Sequence, residues 1–386
     1  MVLQDLPSST PSNLYAHFPF CRRKCAYCAL YSRVGGSQAD RDAYVAVLAN
    51  QLKRSQHITP ILSSVYLGGG SPALCDLQPL FSALRLSSDS YNSEPQSTSN
   101  DTSALREFTV ELHPLDVSVE KLESLKAGGV NRISMGVQSF DDKTLAAMGR
   151  GYTIDEALRS FELVKKFFDN AGIDLIIGYP GDPCRIDLRR FADLGLRHCS
   201  VYSLQNERGL KNVPDDDVVL DGIKRCARQL KELGLERYEI SNYAVPGYEC
   251  RHNLAVWRGE DYVGLGDGAC GRIGLKRTRG VRCESKVVYE SEMLSPEEDL
   301  KERTIFRLRT RYGLDASRFP EWCELLDRFV AEGLLTKSSK NCCRDAAGIC
   351  ALPVGEDLTS GEPHSNVYFL TERGTEVCDA ILAEII

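Results

Sequence analysis

At 386 residues, 42% hydrophobic and 26% charged, the chain has the make-up of an ordinary folded protein, with length for a barrel-sized domain plus a smaller one. Its net charge of −7 argues against nucleic acid as the main partner. No run of about 18 apolar residues is present to span a membrane, and the start MVLQDLPSSTPSN lacks the basic region and apolar run of a signal peptide. Fifteen scattered cysteines in so long a chain do not make a small disulfide scaffold. Without an export signal they point to a reducing, cytoplasmic setting, with most of Cys75, Cys184, Cys199, Cys226, Cys270, Cys323 and Cys378 acting as small buried hydrophobes.

The first strand expected, Asn13–His17, runs into NLYAHFPFCRRKCAYCALYS. Cys21, Cys25 and Cys28 put three thiolates within eight residues, enough for three corners of a cubane iron–sulfur cluster. A four-iron cluster wants four ligands, so one iron would stay open to an outside ligand. Arg22, Arg23 and Lys24 place positive charge where it favours thiolate over thiol, and Tyr27 is an aromatic able to cover the open corner. The same three cysteines could instead bind zinc with a distant fourth ligand, or be buried.

A helix is expected over Asp40–Arg54, then a strand over Ser64–Leu67 that leads into VYLGGGSP. Gly68, Gly69 and Gly70 strip β-carbons from the strand end, which lets a ligand touch backbone; a tight turn explains the run equally well. Leu86–Ser103 is rich in Ser, Asn, Asp and Thr and reads as a flexible surface insertion. Further strands are expected at Phe108–Leu112, Arg132–Gly136, Ile173–Ile177, Ser200–Leu204 and Glu236–Ile240. Helices are expected at Val119–Ala127, Asp141–Met148 and Ile154–Asp169, the last opened by a capping box of Thr153 and Glu156. Repeated β–α units mean a parallel sheet with helices outside it, and roughly six units suit an open (β/α) barrel with its sites at the C-terminal ends of the strands.

Glu111, Gln138 and Asp174 are polar residues within or ending apolar strands, each costly to bury without a partner. On successive strands they suit a polar ligand with hydroxyls and an amine. Arg150 could pair with a carboxylate bidentately. The block ERYEISNYAVPGYECRHNLAVWRGEDYVGLGDGA, without a clear period, reads as an ordered functional loop. In it His252, beside Tyr243, Tyr248 and Trp257, suits a flat aromatic or metal-bearing ligand, against the default of a structural histidine.

From Ser295 onward, helices are expected at Pro296–Thr310 and Arg318–Glu332, then a hairpin of LLTK with VYFLTERG, then a helix over Thr375–Ile386. This small α+β domain is winged-helix-like, and the acidic balance favours packing or a lid over DNA binding. Ser338–Asn366, with Cys342, Cys343 and Cys350, reads as a variable loop.

Together these blocks resemble the oxygen-independent coproporphyrinogen dehydrogenase-like (HemN-like) family of radical S-adenosylmethionine (SAM) proteins. The motifs that carry the resemblance are YAHFPFCRRKCAYCALYS, YLGGGSP, GVNRISMGVQSFDDKTLAAMGR, IDLIIGYPG and YEISNYAVPGYECRHN. Within that family the chain looks like the HemW heme-chaperone group. The dehydrogenases carry a further cysteine where Leu30 stands and a longer N-terminal extension, whereas fourteen residues precede Tyr15 here.

The resemblance implies an α/β fold: a partial, TIM-like (β/α)6 radical SAM barrel over 1–240, a bridging segment with HNLAVW over 241–294, and a HemN-type C-terminal domain over 295–386. It implies a [4Fe–4S] cluster on Cys21, Cys25 and Cys28, and SAM contacts from Tyr15, Tyr27, Gly69, Gly70, Ser71, Glu111, Gln138, Arg150 and Asp174. Ser71 replaces the usual threonine and keeps the hydroxyl. HNLAVW matches a motif linked to heme, through His252, with Val256 in place of the motif's tyrosine. The function implied is a heme chaperone of porphyrin metabolism that passes heme to acceptor proteins. A chaperone serving respiratory proteins would also need peripheral contact with a membrane. The alternatives are radical decarboxylation of coproporphyrinogen III and radical SAM chemistry on another substrate; a zinc-stabilised scaffold is the non-enzymatic one.

Overall fold

Six parallel strands follow one another across a sheet in chain order: β1 (Asn13–Phe18), β2 (Ser64–Gly69), β3 (Glu107–Leu112), β4 (Arg132–Gln138), β5 (Asn170–Ile177) and β6 (His198–Ser203). The structure is a computed structural model and describes residues 12–55, 62–86, 105–184, 186–283, 286–338 and 366–385. On the far side of β1 lies a further parallel strand, β7 (Tyr262–Leu265). It continues into the antiparallel strands Cys270–Ile273, Lys276–Cys283 and Lys286–Met293. The sheet runs as an open series and does not close on itself. An open (β/α)6 barrel is therefore present, as the alternating pattern implies.

Side chains alternate across each strand, and the two faces differ in chemistry. Leu14, Phe18, Val65, Leu67, Phe108, Val110, Ile133, Met135, Ile173 and Leu175 form one buried apolar cluster with helix residues such as Val45, Leu48, Leu80, Leu122 and Phe161. Each large side chain so buried contributes about 1.5–3 kcal/mol. The residues between them are mostly polar: Asn13, Tyr15 and His17; Ser64 and Tyr66; Glu107, Thr109 and Glu111; Arg132 and Ser134; Asp174; His198 and Ser200. They face the concave side. Helix Ile154–Lys165 shows how local sequence supports the frame. Thr153 accepts the Glu156 N–H at 3.3 Å and Glu156 accepts the Thr153 N–H at 2.7 Å, the capping box expected from the sequence.

At the N-terminal ends of the strands the concave side is closed by the start of helix Arg251–Trp257. The Glu107 carboxylate accepts the backbone N–H groups of Arg251 (2.9 Å) and His252 (3.1 Å), which a helix start leaves without intrahelical partners. The His252 ring sits beneath Tyr66 (5.3 Å between centroids), with Nδ1 2.8 Å from Ser64 Oγ. Ser64 donates in turn to Asn13 Oδ1 at 2.8 Å.

Several boundaries differ from the sequence reading. The helix expected over Ile154–Asp169 ends at Lys165, and β5 begins at Asn170 instead of Ile173, because pairing with β4 starts at Arg132–Asn170. The strand expected at Glu236–Ile240 is limited to Glu236–Arg237. The block from Glu236 to Ala269 is not a loop: it contains three strands and a helix, and Tyr243, Cys250, His252 and Leu254 are buried. Its lack of period reflects short elements, each packed for a different reason.

Two compact units separate: residues 1–236, 243–252 and 261–293, and residues 237–242, 253–260 and 294–386. In the second, helix Pro296–Leu308 opens with a capping box of Ser295 and Glu298. Val367–Leu370 pairs antiparallel with both Leu335–Ser338 and Leu314–Asp315, so the expected hairpin partners do meet. Leu308, Leu314, Trp322, Leu326, Tyr368 and Ile381 form its core. The single C-terminal helix expected is two, Glu372–Glu376 and Cys378–Ile385, parted at Val377 where φ is −120°. Nearly all of the polar stretch after Leu86 and of Ser338–Asn366, with Cys342, Cys343 and Cys350, lies outside the described residues. Among the described residues no helix is long and apolar enough to cross a membrane.

Burial lowers His252 from 6.5 to about 4, the Glu107 carboxylate opposing and Arg132 reinforcing. As pH falls from 6.5 toward 4, the unfolded chain takes up a proton here that the folded chain refuses. The stabilisation is thus complete above pH 6.5 and is lost toward pH 4, by up to about 3 kcal/mol. Chemical denaturation of the wild type and His252→Gln at pH 7 and pH 4 measures it. The stability difference between them is expected to shift against the wild type by that amount at low pH; a pH-independent difference would refute a buried neutral imidazole.

Candidate functional site

The cysteine loop is built at the C-terminal end of β1. Phe20–Cys21 pairs with Arg33–Val34, so the chain leaves the sheet, turns and returns beside itself. Within the turn Lys24 Nζ donates to Leu30 O (2.7 Å) and Ser32 Oγ (2.6 Å). Ala26 N–H donates to Met148 O at 3.1 Å, fastening the loop to helix Asp142–Met148. None of these bonds uses a thiol. Cys21, Cys25 and Cys28 are free and half-buried. Burial pushes the Cys21 thiol up, the Ser32 hydroxyl opposes this, and Cys28 and Cys25 add to the rise. Arg150 Nη1 lies 3.4 Å from Cys25 Sγ as a donor. Among the described residues no three His, Cys, Asp or Glu side chains are grouped around a single metal ion.

The glycine run of β2 meets this loop through backbone. Gly70 N–H donates to Phe18 O and Ser71 N–H to Phe20 O, both at 2.7 Å. A β-carbon on Gly70 would fall 2.8 Å from Phe18 O, so only glycine permits this approach. Gly69 has φ +107°, and its N–H donates to Glu111 Oε2 at 2.9 Å. Tyr66 OH donates to Glu111 Oε1, also at 2.9 Å. Just past the glycines, Ser71 Oγ donates to Asp116, which also accepts from Arg22 Nε in the cysteine loop.

On the concave face, burial and then the nearby Asp174 carboxylate push Glu111 up to about 7, while Gly69 N–H and Tyr66 OH hold it down. Burial likewise raises Asp174, which accepts from Ser134 Oγ at 3.1 Å. Arg150 is buried; its Nε donates to Tyr152 OH (2.9 Å) and its Nη2 to Gly136 O (2.7 Å). Gln138 sits at a bulge that ends β4, with φ +76°, a conformation disfavoured for a side chain of its size and often found where function dictates it. Burial raises Tyr27 well above its ordinary value, with Arg150 opposing. Tyr15 OH lies 3.0 Å from His17 Nδ1.

The fold therefore brings Cys21, Cys25, Cys28, Tyr27, Gly69, Gly70, Ser71 and Arg150 to the C-terminal side of the sheet, with Gln138 at the end of β4. Tyr15, Glu111 and Asp174 stand deeper on the same concave face. His252 stands apart, at the opposite ends of the strands, 4% exposed and engaged with Ser64. Ligation of an iron by its imidazole would require the ring to leave that floor. Trp257 of the same motif belongs to the second unit, where it meets Phe306 edge-on at 5.8 Å. The sequence reading missed Tyr66, Ser134, Tyr152 and Asp116. The one signal for the last was HPLD, a proline-led turn ending in a carboxylate.

The Radical SAM superfamily profile matches residues 15–192. The chain is 32% identical over 333 residues to the heme chaperone HemW of Bacillus subtilis (strain 168), covering 80% of this chain and 86% of that protein. It is 31% identical over 331 residues to the heme chaperone HemW of Lactococcus lactis subsp. lactis (strain IL1403), covering 80% and 84%. Among solved structures, coproporphyrinogen III oxidase (HemN) from Escherichia coli superposes with a TM-score of 0.73 at 19% identity, over 97% of this chain and 90% of that one, which establishes the shared fold. By fold, profile and relatives, the chain belongs to the radical SAM superfamily and, within it, to the family of the HemW heme chaperones.

Proposed function

We propose that this protein is a cytoplasmic heme chaperone that holds a [4Fe–4S] cluster on Cys21, Cys25 and Cys28, binds SAM beside it, and passes heme to acceptor proteins. One observation carries the reading: three free thiols share a loop that is closed without them and clamped by backbone to a glycine-only strand end. That donor set fits the cluster, because three thiolates can each ligate one iron of a cubane and leave the fourth iron open. When bound, the cluster supplies the open iron at which the methionine end of SAM can be chelated.

The chain's own residues supply the rest. Gly69 and Gly70 leave room for the His17 ring and for the backbone of Phe18 and Phe20, so the strand end packs directly against the start of the cysteine loop. Glu111 and Asp174 offer carboxylate oxygens to hydroxyl or ammonium donors, Gln138 an amide, and Tyr15 and Tyr27 hydroxyls and ring faces. Arg150 steadies Cys25 and keeps a positive charge beside the sulfur. Heme enters the reading from the relatives named heme chaperones. Leu30, 58% exposed, stands where the dehydrogenases carry a further cysteine, which favours a carrier over coproporphyrinogen III decarboxylation.

Anaerobically reconstituted protein should be brown with one four-iron cluster. Alanine at Cys21, Cys25 or Cys28 should abolish it; iron retained in all three variants would overturn the ligand set. SAM should perturb the electron paramagnetic resonance spectrum of the reduced cluster, and Arg150→Ala should weaken SAM binding by about 1.5–3 kcal/mol. A spectrum unmoved by saturating SAM would refute the SAM site.

Glu111 gives that binding a pH dependence. Hydroxyl donors and the sulfonium cation of SAM both favour the ionised carboxylate. Binding should therefore release the proton that Glu111 holds below about pH 7, and affinity should rise as pH is raised from 6 to 8. Glu111→Gln should flatten that rise in titrations across the range; an identical slope in the variant would remove Glu111 from the site.

Heme titration should give a saturable Soret change, with no protoporphyrinogen formed from coproporphyrinogen III in the presence of SAM and reductant. Turnover would favour the enzyme reading, and absence of saturable heme binding would end the chaperone reading. Because His252 lies in the floor, His252→Ala should leave heme affinity within about threefold, and a lost or shifted Soret band in that variant would restore it as a ligand.

A further inference from the structure

Asp116 belongs to no motif in the sequence reading. It ends the short turn Pro114–Asp116 that follows β3, where Leu115 N–H donates to His113 Nδ1 at 3.2 Å and Asp116 N–H to His113 O at 2.8 Å. The turn delivers a carboxylate whose side chain is only 1% exposed. One of its oxygens accepts from Arg22 Nε, the residue after Cys21; the other accepts from the Ser71 hydroxyl, the residue after Gly70. A single buried carboxylate thus joins the cysteine loop, the glycine strand end and the turn after β3.

A serine hydroxyl carries one proton and two acceptor lone pairs. With that proton given to Asp116, Ser71 can present only acceptor character to a ligand, and donation to a carboxylate makes the oxygen a better acceptor. Of the two polar groups on the methionine end of SAM, the α-ammonium is a donor and the α-carboxylate is not. We propose that Asp116 is a positioning residue that fixes Ser71 as the acceptor for the ammonium group of bound SAM and holds the Cys21 end of the cysteine loop against the same strand end. The inference rests on the SAM reading above.

The test uses the full chain with its cluster reconstituted anaerobically, and measures SAM affinity by equilibrium dialysis for the wild type, Ser71→Ala, Asp116→Ala and the double variant. Each single change should weaken SAM about tenfold, the cost of one charge-assisted hydrogen bond. The double variant should be no weaker than the weaker single one, since Asp116 acts through Ser71. A SAM analogue lacking the α-amino group should bind all four proteins alike. Iron release to a chelator should quicken several-fold in Asp116→Ala and Arg22→Ala but not in Ser71→Ala. Additive losses, undiminished SAM affinity in Asp116→Ala, or an equal loss for the analogue would overturn the assignment of Ser71; unchanged iron release would overturn the loop tether. If Asp116→Ala does not fold, Asp116→Leu, close in size and without an acceptor, takes its place with the same expected outcomes. Wild-type protein that carries the cluster yet binds no SAM would instead defeat the SAM reading, and iron release would still decide the tether.

Discussion

The constraint on which the structure turns is charge held on the concave face of the sheet. The outer face is satisfied by apolar packing against helices, but the inner face carries Glu107, Glu111, Arg132 and Asp174 with hydroxyls and imidazoles from five strands. Removing one partner from such a set costs about 3–5 kcal/mol, because the remaining charge stays buried without compensation. Each group is therefore placed by the others. Glu111 is held by Tyr66 and Gly69, Asp174 by Ser134, and Glu107 by the first turn of helix Arg251–Trp257. The face cannot collapse into an apolar core, so it keeps its polar character where ligand atoms are to be met.

That constraint also explains what the sequence could and could not disclose. The outward residues of the strands alternate cleanly, and every barrel strand was legible from them. Strand beginnings were not: Glu107, Asn170 and His198 look like loop residues until the concave face requires them. The cysteine loop was legible because all its parts lie within a dozen residues. Asp116 was not, since its partner Arg22 is 94 residues away in sequence. His252 was read from neighbouring aromatics along the chain, yet its physical neighbours are Ser64 and Tyr66, which come from β2.

The same frame serves proteins named as chaperones and one named as an oxidase, so the fold does not decide between them. Leu30 is exposed beside the cysteines. A thiol there would add a ligand or a hydrogen donor at the mouth; leucine adds an oily surface. The distinction between carrying a porphyrin and transforming one is thus sought in a few side chains around a common scaffold.

Small metal-dependent domains often remain unfolded until the metal arrives, and their metal affinity includes the free energy of folding. The cysteine loop here is braced differently. Lys24, Ala26 and Arg33 fasten it through Leu30, Met148 and Pro19 with bonds that need no iron. A loop so braced would let the chain fold before it receives a cluster. Loss of iron should therefore leave a refillable protein instead of a denatured one, which lets a single polypeptide outlive several clusters.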